Sequence, residues 1–293
     1  MNWQAIEALI SHATQKEFKV LQSFSVAGGS INASYKLEGQ TESYFIKLNE
    51  KHCLEMFVAE AEGLAELGKP NVIRVPTPVC YGESPSHAFI VMENVVLSGG
   101  DKHGSLKLGE QLAKLHQVQS EAFGWHRDNT IGSTMQVNKK SNDWVSFYRD
   151  QRLQYQISLA KNSGCERELI ILGDKLSDNL EAFFTSYHPV PSLLHGDFWS
   201  GNYAYDENSN PVIFDPAVYY GDREADIAMT ELFGGFSVGF YDVYNAAYSL
   251  DDGYQVRKTL YNLYHILNHM HLFGGGYSRQ AIVMMKQLLS EIS

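Results

Sequence analysis

The segment LLHGDFWSGN, residues 193–202, places Asp197 and Asn202 five residues apart among apolar neighbours. Thirteen residues after Asn202, the run PVIFDPA supplies a second acid, Asp215. Phosphoryl transfer from a nucleotide requires a base at the acceptor hydroxyl and oxygen ligands for Mg²⁺. Each of these residues alone is more often a turn cap, a loop residue or a strand end. The joint pattern H-G-D-x-x-x-x-N followed by apolar-apolar-Asp favours phosphoryl transfer.

The same chemistry needs a cation for the donor phosphates, held on a rigid element earlier in the chain. Lys47, in YFIKLN, occupies an inner-strand position where an unpaired lysine would be costly. Its carboxylate partner is expected in the helical segment that follows, where Glu60, in MFVAEAEGL, competes with Glu55 and Glu62. The other interpretation of Glu60 is an exposed helix acid without a partner.

A glycine-containing turn, AGGSIN, precedes this lysine. Gly28, Gly29 and Ser30 could fold over phosphates, because glycine lets backbone N–H groups approach closely. Two glycines in a hairpin are more often only a turn. The phosphate-binding interpretation gains its weight from Lys47, which follows at a suitable distance.

These residues are set among elements that the hydrophobic pattern predicts. Residues 18–49 alternate in strand fashion with turns between, which predicts three antiparallel strands. Residues 53–70 form a helical pattern that ends in Gly and Pro, and two strands follow at 77–83 and 88–94. After a Gly-rich connector the pattern becomes largely helical; the predicted helices are 105–120, 141–162, 165–187, 224–234, 240–249, 253–272 and 277–292.

Met92 and Glu93 end the fifth predicted strand, where a hinge would offer backbone groups to adenine. The sequence therefore predicts a two-lobed α+β fold. Residues 1–94 are expected to form a small antiparallel β-sheet lobe that carries one helix and covers the nucleotide. Residues 95–293 are expected to form a larger, mainly α-helical lobe with the catalytic loop, the metal ligands and the acceptor pocket.

Composition excludes several classes of protein. The 293 residues carry a formal charge of −11 without a long basic block, which argues against nucleic acid as a partner. No apolar run is long enough for a membrane span, and the N-terminal segment has the pattern of an amphipathic helix. The three cysteines are few, odd in number and widely spaced, so a disulfide framework or zinc site is not expected, and a reducing cytoplasm fits.

Histidines offer one further metal candidate. His265 and His269 stand at i and i+4 in HILNHMH, a spacing that can bind a metal on one helix face. No third ligand is evident nearby in the sequence, so a packed or solvated helix is the favoured interpretation. His116, in LAKLH, is predicted to be structural.

Together these parts resemble the protein-kinase-like fold of small-molecule kinases, and the chain is similar to the fructosamine/ketosamine-3-kinase family. The resemblance runs over nearly the whole length, through GGSIN, FIKLN, FVAEAEGL, LAKLH, IGSTMQVN, HGDFWSGN and FDPAVYYGDREADIAMTELFGGF. Aminoglycoside and choline kinases share HGD and the later Asp. Trp199 and the run that ends in ELFGGF favour the ketosamine branch.

The resemblance implies ATP and Mg²⁺ as cofactors. It implies Asp197 as the base, Asn202 and Asp215 as Mg²⁺ ligands, Lys47 on the α and β phosphates, and Glu60 as the residue that braces Lys47.

The resemblance also implies supporting roles. Trp199 is expected beside the acceptor sugar, and His195 and Asp226 are expected to support the catalytic loop. Some relatives carry a cysteine in the glycine loop where this chain has Ser30, so redox control through a loop disulfide is not expected here.

The implied activity is phosphorylation of the 3-hydroxyl of a ketosamine, the rearranged adduct of a reducing sugar and an amine, followed by loss of the sugar and repair of the amine. The alternatives are another small-molecule kinase of the same fold, acting on an aminoglycoside, choline or a similar alcohol, and a non-catalytic nucleotide-binding module. The residues leave open the sugar, the amine, the choice of ATP or GTP, and the oligomeric state.

Overall fold

The computed structural model describes residues 2–27 and 31–292. The predicted phosphate loop of Gly28, Gly29 and Ser30 lies outside the described residues. The chain divides into two compact units. The first unit comprises Met1–Gly104 and Tyr203–Pro216, and the second comprises Ser105–Asn202 and Ala217–Ser293. The functional division predicted at residue 94 stays a prediction.

Helices and strands both contribute to the fold, so the predicted α+β class is confirmed. The α-helices of the described residues are α1 (Gln4–Thr14), α2 (Leu54–Gly68), α3 (Lys102–His116), α4 (Trp144–Tyr148), α5 (Gln154–Asn162), α6 (Arg167–Asp178), α7 (Glu224–Leu232), α8 (Val238–Ala247), α9 (Tyr254–Phe273) and α10 (Tyr277–Glu291). Their β-strands are β1 (Gln22–Val26), β2 (Ala33–Glu38), β3 (Ser43–Asn49), β4 (Pro78–Glu83), β5 (Ala88–Glu93), β6 (Asn129–Ile131), β7 (Thr134–Gln136), β8 (Ser192–Leu194), β9 (Tyr203–Tyr205), β10 (Pro211–Ile213) and β11 (Tyr219–Gly221). Short 3₁₀ turns cover Lys51–Cys53 and Leu180–Phe184, and a π-helical turn covers Arg149–Leu153.

The first unit is built on an antiparallel sheet in the order β1-β2-β3-β5-β4. Apolar clusters cover both faces of this sheet, one beside α1 and the other beside α2. Strand β5 is a continuous apolar run for this reason: Phe89 and Val91 enter the α1 cluster, whereas Ile90 and Met92 enter the α2 cluster. Lys47 pairs with Ile90 across β3 and β5, so its side chain is on the α2 face.

A distant hairpin completes the same unit. Strands β9 and β10 pair with each other, Tyr205 forms a bridge with Ser98, and Val212 forms a bridge with Arg74. The turn between the strands is organised by Asp206, whose carboxylate accepts hydrogen bonds from backbone N–H groups two and four residues later. The hairpin therefore belongs structurally to the first unit although it follows the motif HGDFWSGN in sequence.

The second unit is mainly helical. Helix α9 presents a nearly continuous buried surface over residues 260–268 and packs against α7 and α10. Two short antiparallel pairs lie in this unit, β6 with β7 and β8 with β11. The predicted helix 141–162 is divided into α4, the π-helical turn and α5, and the predicted helix 165–187 is divided into α6 and a 3₁₀ turn. Among residues 2–27 and 31–292, no helix combines the length and apolar character that a membrane span requires.

Candidate functional site

A buried lysine lies between two carboxylates in the first unit. Lys47 on β3 is 6% exposed, and its Nζ lies 2.5 Å from Glu60 Oε1 on α2. It also donates a hydrogen bond to Oδ1 of Asp215. The lysine, the helix acid and the second acid of the sequence pattern are thus brought together within one unit.

Electrostatics keep this lysine charged. Burial alone would lower the pKa of Lys47, but the negative charges of Asp215 and Glu60 raise it above its usual value. Burial raises the pKa of Glu60, and the charge of Asp215 adds to this effect, while Lys47 opposes it. Two carboxylates face one ammonium, so the trio has an excess of negative charge when all three groups are ionised. Such a trio suits an added cation as well as an anion that Lys47 can bind.

Asp215 occupies a strained backbone position just after β10. Its φ is +58°, which non-glycine residues adopt rarely, and its side chain is 43% exposed. Strand β10 before it is fully buried and holds the chain in place. Left-handed backbone at a polar residue is often maintained where it directs a functional group. Asp215 combines this left-handed backbone with a side chain whose carboxylate accepts a hydrogen bond from Lys47.

The motif HGDFWSGN, predicted to be catalytic, follows β8 in the second unit. Gly196 has a φ of +83°, and a Cβ at this position would lie 2.0 Å from the carbonyl oxygen of Ala217, so glycine is required. Asn202 Nδ2 donates to the backbone oxygen of Asp197 at 2.8 Å and to its carboxylate Oδ2 at 3.2 Å. Because these bonds use the amide nitrogen, Oδ1 is the atom with which Asn202 would ligate a metal.

The backbone of this motif is fixed by Asp226 at the start of α7. Asp226 is 2% exposed; its Oδ2 accepts from the N–H of His195 at 2.7 Å and its Oδ1 from that of Gly196 at 2.9 Å. The buried His195 ring in turn accepts from the N–H of Asp197 through Nδ1, at 3.3 Å. The structure thus places Asp226 and His195 directly behind the residue predicted to be the base.

Trp199 forms an exposed aromatic surface two residues after Asp197. Trp199 is 37% exposed, and the centroid of its ring lies 6.2 Å from the centroid of the Phe233 ring. A Cβ on Gly201 would lie 2.3 Å from the indole, so the ring lies directly against this glycine. Gly235, with a φ of +99°, approaches Ser200 so closely that its own Cβ would lie 2.5 Å from the Ser200 Cβ.

Two segments that are distant in the sequence, FWSGN and ELFGGF, contact each other in the structure. Phe233 and Gly235 of ELFGGF contact Trp199 and Ser200 of the loop FWSGN. Phe236 contacts Phe198, with ring centroids 5.5 Å apart. Sequence reasoning singled out both segments but did not pair Phe233 or Gly235 with the loop. Their shared high content of Gly and aromatic residues was the only available signal.

Met92 and Glu93 lie at the end of β5, as the sequence predicts. Met92 is buried, and the Glu93 carboxylate pairs with Arg74 at 2.5 Å. The backbone N–H of Glu93 donates to the carbonyl oxygen of Thr77 at 2.8 Å. A contact with adenine through Glu93 would therefore use a backbone group other than this N–H.

The second metal candidate is part of the helix packing. His265 is buried on α9, and burial together with the nearby His269 lowers its pKa to about 3. His269 Nδ1 bonds to the carbonyl oxygen of His265 at 2.8 Å, and its ring contacts Phe233 and Tyr277. Within the described part of the chain, no group of three or more His, Cys, Asp or Glu residues is arranged to hold a metal.

Comparison with known proteins gives consistent matches over nearly the whole chain. The family model for fructosamine kinase matches residues 2–291. A probable ketoamine kinase of Synechocystis is 45% identical over 98% of this chain and 97% of its own length. A chloroplastic protein-ribulosamine 3-kinase of Arabidopsis thaliana is 40% identical over 94% of this chain and 84% of its own.

Solved structures agree with these matches. The crystal structure of a Haemophilus somnus protein assigned as a fructosamine-3-kinase superposes with a TM-score of 0.89 and 29% identity, over 98% of this chain and 97% of that chain. An aminoglycoside phosphotransferase solved with ADP and hygromycin B has a TM-score of 0.64 and 12% identity over 98% of both chains, which shows a shared fold alone. The predicted kinase-like fold is confirmed.

Proposed function

Because the chain belongs to the fructosamine kinase family, we propose that it is a kinase that transfers a phosphoryl group from ATP to the 3-hydroxyl of ketosamines. The observation that carries this proposal is the buried Lys47, paired at once with Glu60 and Asp215. A second, half-exposed carboxylate with strained backbone supports a role in binding phosphates and a metal.

The side chains have distinct roles in this reaction. Lys47 neutralises charge on the donor phosphates, and Glu60 keeps it in position. Asp197, held through its backbone N–H by His195 and through its carboxylate by Asn202, orients the acceptor hydroxyl and takes its proton. The carboxylate of Asp215 and the Oδ1 of Asn202 would hold Mg²⁺, which commonly takes only one or two carboxylates and completes its shell with phosphates and water. When bound, the ion neutralises the charge of the transferred phosphate.

The acceptor is proposed to bind beside Trp199. Its partly exposed indole offers a flat apolar surface against which one face of a sugar can stack. The ring is held by Gly201 and Phe233, so the surface is organised before any substrate binds.

The product chemistry accounts for a repair function. Phosphorylation of the 3-hydroxyl converts it into a good leaving group close to the carbonyl. Enolisation towards the nitrogen-bearing carbon then lets the phosphate leave, and water releases the free amine. A ketoamine kinase and a protein-ribulosamine 3-kinase among the relatives support adducts of this class. Three free cysteines are in keeping with a reducing, cytoplasmic location.

The test is a coupled ADP-release assay with four acceptors in parallel: ribuloselysine, fructoselysine, kanamycin and choline. We expect turnover of at least one ketosamine and none of kanamycin or choline. Activity on kanamycin or choline with neither ketosamine accepted would overturn the substrate assignment and leave only the fold.

The matched variant in this assay is Asp197→Asn. Loss of a general base costs about 10²–10⁴-fold in rate, and because Asp197 acts on the acceptor we expect ATP affinity to stay near the wild-type value. Calorimetric titration with ATP checks the second half of this expectation. If Asp197→Asn retained more than about a tenth of the wild-type rate, Asp197 would not be the base.

A further inference from the structure

A line of buried polar side chains runs behind the catalytic loop in the second unit. Arg223 Nη1 donates to the hydroxyl oxygen of Tyr244 at 3.1 Å. This hydroxyl lies 2.8 Å from Nδ1 of His116 on α3, and Nε2 of His116 lies 3.2 Å from Oδ2 of Asp226. All four side chains are buried. We call this line the Arg223–Asp226 relay; it consists of Arg223, Tyr244, His116 and Asp226.

The protons of the relay are fixed by its first member. A guanidinium can only donate, so the Tyr244 oxygen accepts from Arg223 and its own proton is directed to Nδ1 of His116. Burial raises the pKa of Tyr244, so the hydroxyl keeps that proton. Nδ1 of His116 is therefore an acceptor, and the ring carries its single proton on Nε2. The assignment follows from the hydrogen-bond pattern.

The last member of the relay is a buried carboxylate that touches the catalytic loop. His116 Nε2–H donates to Oδ2 of Asp226, the same oxygen that accepts from the N–H of His195, while Oδ1 accepts from Gly196. Burial alone would raise the pKa of Asp226, but the bonds from His116 and Gly196 help to lower it, and the group stays ionised. Three N–H groups thus share one carboxylate, and two of them belong to the backbone just before Asp197.

We infer that His116 is a positioning residue for the phosphoryl-transfer reaction: through the Arg223–Asp226 relay it holds the Asp226 carboxylate in the one orientation that fixes the His195 and Gly196 N–H groups and hence Asp197. The inference rests on the proposed function for its catalytic consequence. His116 lies about eighty residues before His195 in the sequence, but in space only the Asp226 side chain lies between them.

The inference differs from a purely structural role, in which His116 only fills space. A side chain that fills space can be replaced by another ring, whereas a positioning residue must both accept from Tyr244 and donate to Asp226. His116→Phe keeps a ring and loses both bonds. His116→Gln keeps an acceptor and a donor at the end of a side chain of similar reach.

Steady-state kinetics test the inference first. We expect His116→Phe to lower kcat at least tenfold with little change in the KM for ATP, and His116→Gln to recover at least half of the wild-type kcat. Equal losses in the two variants would overturn the inference, as would an unchanged kcat in His116→Phe.

Two tyrosine-to-phenylalanine variants distinguish a positioning role of the relay from a general loss of stability in the second unit. Tyr244→Phe removes a buried hydroxyl inside the relay. Tyr148→Phe removes a buried hydroxyl of the same unit that donates to the Leu260 carbonyl at 2.8 Å, outside the relay. We expect only Tyr244→Phe to lower kcat. An equal loss in Tyr148→Phe would show that any weakening of this unit suffices, and the inference would fail.

Amide hydrogen exchange gives a readout that needs no activity. The N–H groups of His195 and Gly196 are protected by Asp226, so we expect faster exchange at these two positions in His116→Phe but not in Tyr148→Phe. Unchanged exchange in His116→Phe would overturn the inference. If the wild-type protein phosphorylated no acceptor but the exchange result held, the substrate proposal would fail while the mechanical role of His116 stood.

Discussion

The charged side chains at the candidate site differ in how far they are exposed to solvent, so their substitution should have different effects on ligand binding. Lys47 and Glu60 are almost fully buried, whereas the Asp215 side chain is 43% exposed. Asn202 is buried and uses its amide nitrogen to hold Asp197. In the proposed metal site, Asp215 would therefore be the anionic ligand and Asn202 the neutral one.

The first residue-scale prediction concerns the metal. We expect Asp215→Ala to lose Mg²⁺-dependent ATP affinity and Asn202→Ala to lose less, because an anionic oxygen contributes more than a neutral one to holding a hard dication. Calorimetric ATP titrations with and without Mg²⁺ measure this. Equal ATP affinities for wild type and Asp215→Ala in excess Mg²⁺ would contradict the assignment.

A second residue-scale prediction concerns acid stability. His265 is buried, and burial together with His269 lowers its pKa to about 3, whereas an unfolded histidine titrates near 6.5. A group whose folded pKa is depressed stabilises the fold above the unfolded pKa, and this contribution is lost as the pH falls from about 6.5 towards 3. Between pH 8 and pH 5 the contribution of His265 should fall by about 2 kcal/mol.

Urea unfolding at both pH values checks the contribution of His265. In His265→Leu the difference in unfolding free energy between pH 8 and pH 5 should shrink by about this 2 kcal/mol. The control is His12→Leu, at an exposed position of α1, where we expect the wild-type pH dependence. If His265→Leu kept the full wild-type pH dependence, the buried imidazole would not be its source.

At the scale of elements, close approach of glycines shapes the aromatic surface beside Asp197. Gly201 lets the Trp199 indole lie directly on the backbone, and Gly235 lets ELFGGF pack on Ser200. The loop and the segment after α7 thus act as one packed element, although about thirty residues separate them in sequence.

The prediction at this scale is that a methyl group added at Gly201 disturbs the aromatic surface formed by Trp199. A methyl group at Gly201 would lie 2.3 Å from the indole, so Gly201→Ala must displace Trp199. We expect this variant, like Trp199→Ala, to raise the KM for a ketosamine severalfold with little change in the KM for ATP. The control is Gly276→Ala, at a glycine with open space around it. A raised KM for ATP in Gly201→Ala would instead indicate damage to nucleotide binding.

Sequence predicted some of these elements better than others. Strand alternation and the apolar side of α2 were strong signals, so a helix carboxylate could be predicted as the partner of Lys47. Spacing left Glu55, Glu60 and Glu62 as candidates, and the family resemblance favoured Glu60. Strands β6 and β7 have three residues each, too few for a periodicity of two to be recognised. The hydrogen bond between His116 and Asp226 joins residues 110 positions apart in the sequence, and no local pattern encodes such a pairing.

On the scale of the whole molecule, the first unit is discontinuous in sequence. Residues 203–216 complete it through the bridges from Tyr205 to Ser98 and from Val212 to Arg74. The same segment contains Asp215, whose carboxylate accepts a hydrogen bond from Lys47. A fragment ending at Gly104 would keep the sheet strands β1–β5 but lose the hairpin that covers their neighbouring segments.

The prediction at this scale is that the fragment 1–104 unfolds at lower urea concentration than the same fragment joined through a short Gly-Ser linker to residues 203–216. The joined form restores the bridges at Ser98 and Arg74 and the bond to Lys47, so both apolar contacts and hydrogen bonds should add stability. Circular dichroism during urea titration measures the midpoints. Identical midpoints would mean that the hairpin adds nothing to the unit.

The discontinuous unit also has a consequence during synthesis on the ribosome. Residues 1–104 emerge first, but their last structural partner, the hairpin, is made only after residues 105–202 have been translated. At translation rates of about 5–20 residues per second this interval is on the order of 10 s. For that time the nascent chain displays the Ser98 and Arg74 backbone groups without the strands that later pair with them. This interval is therefore when chaperones that recognise unpaired strands would have their opportunity to bind this protein.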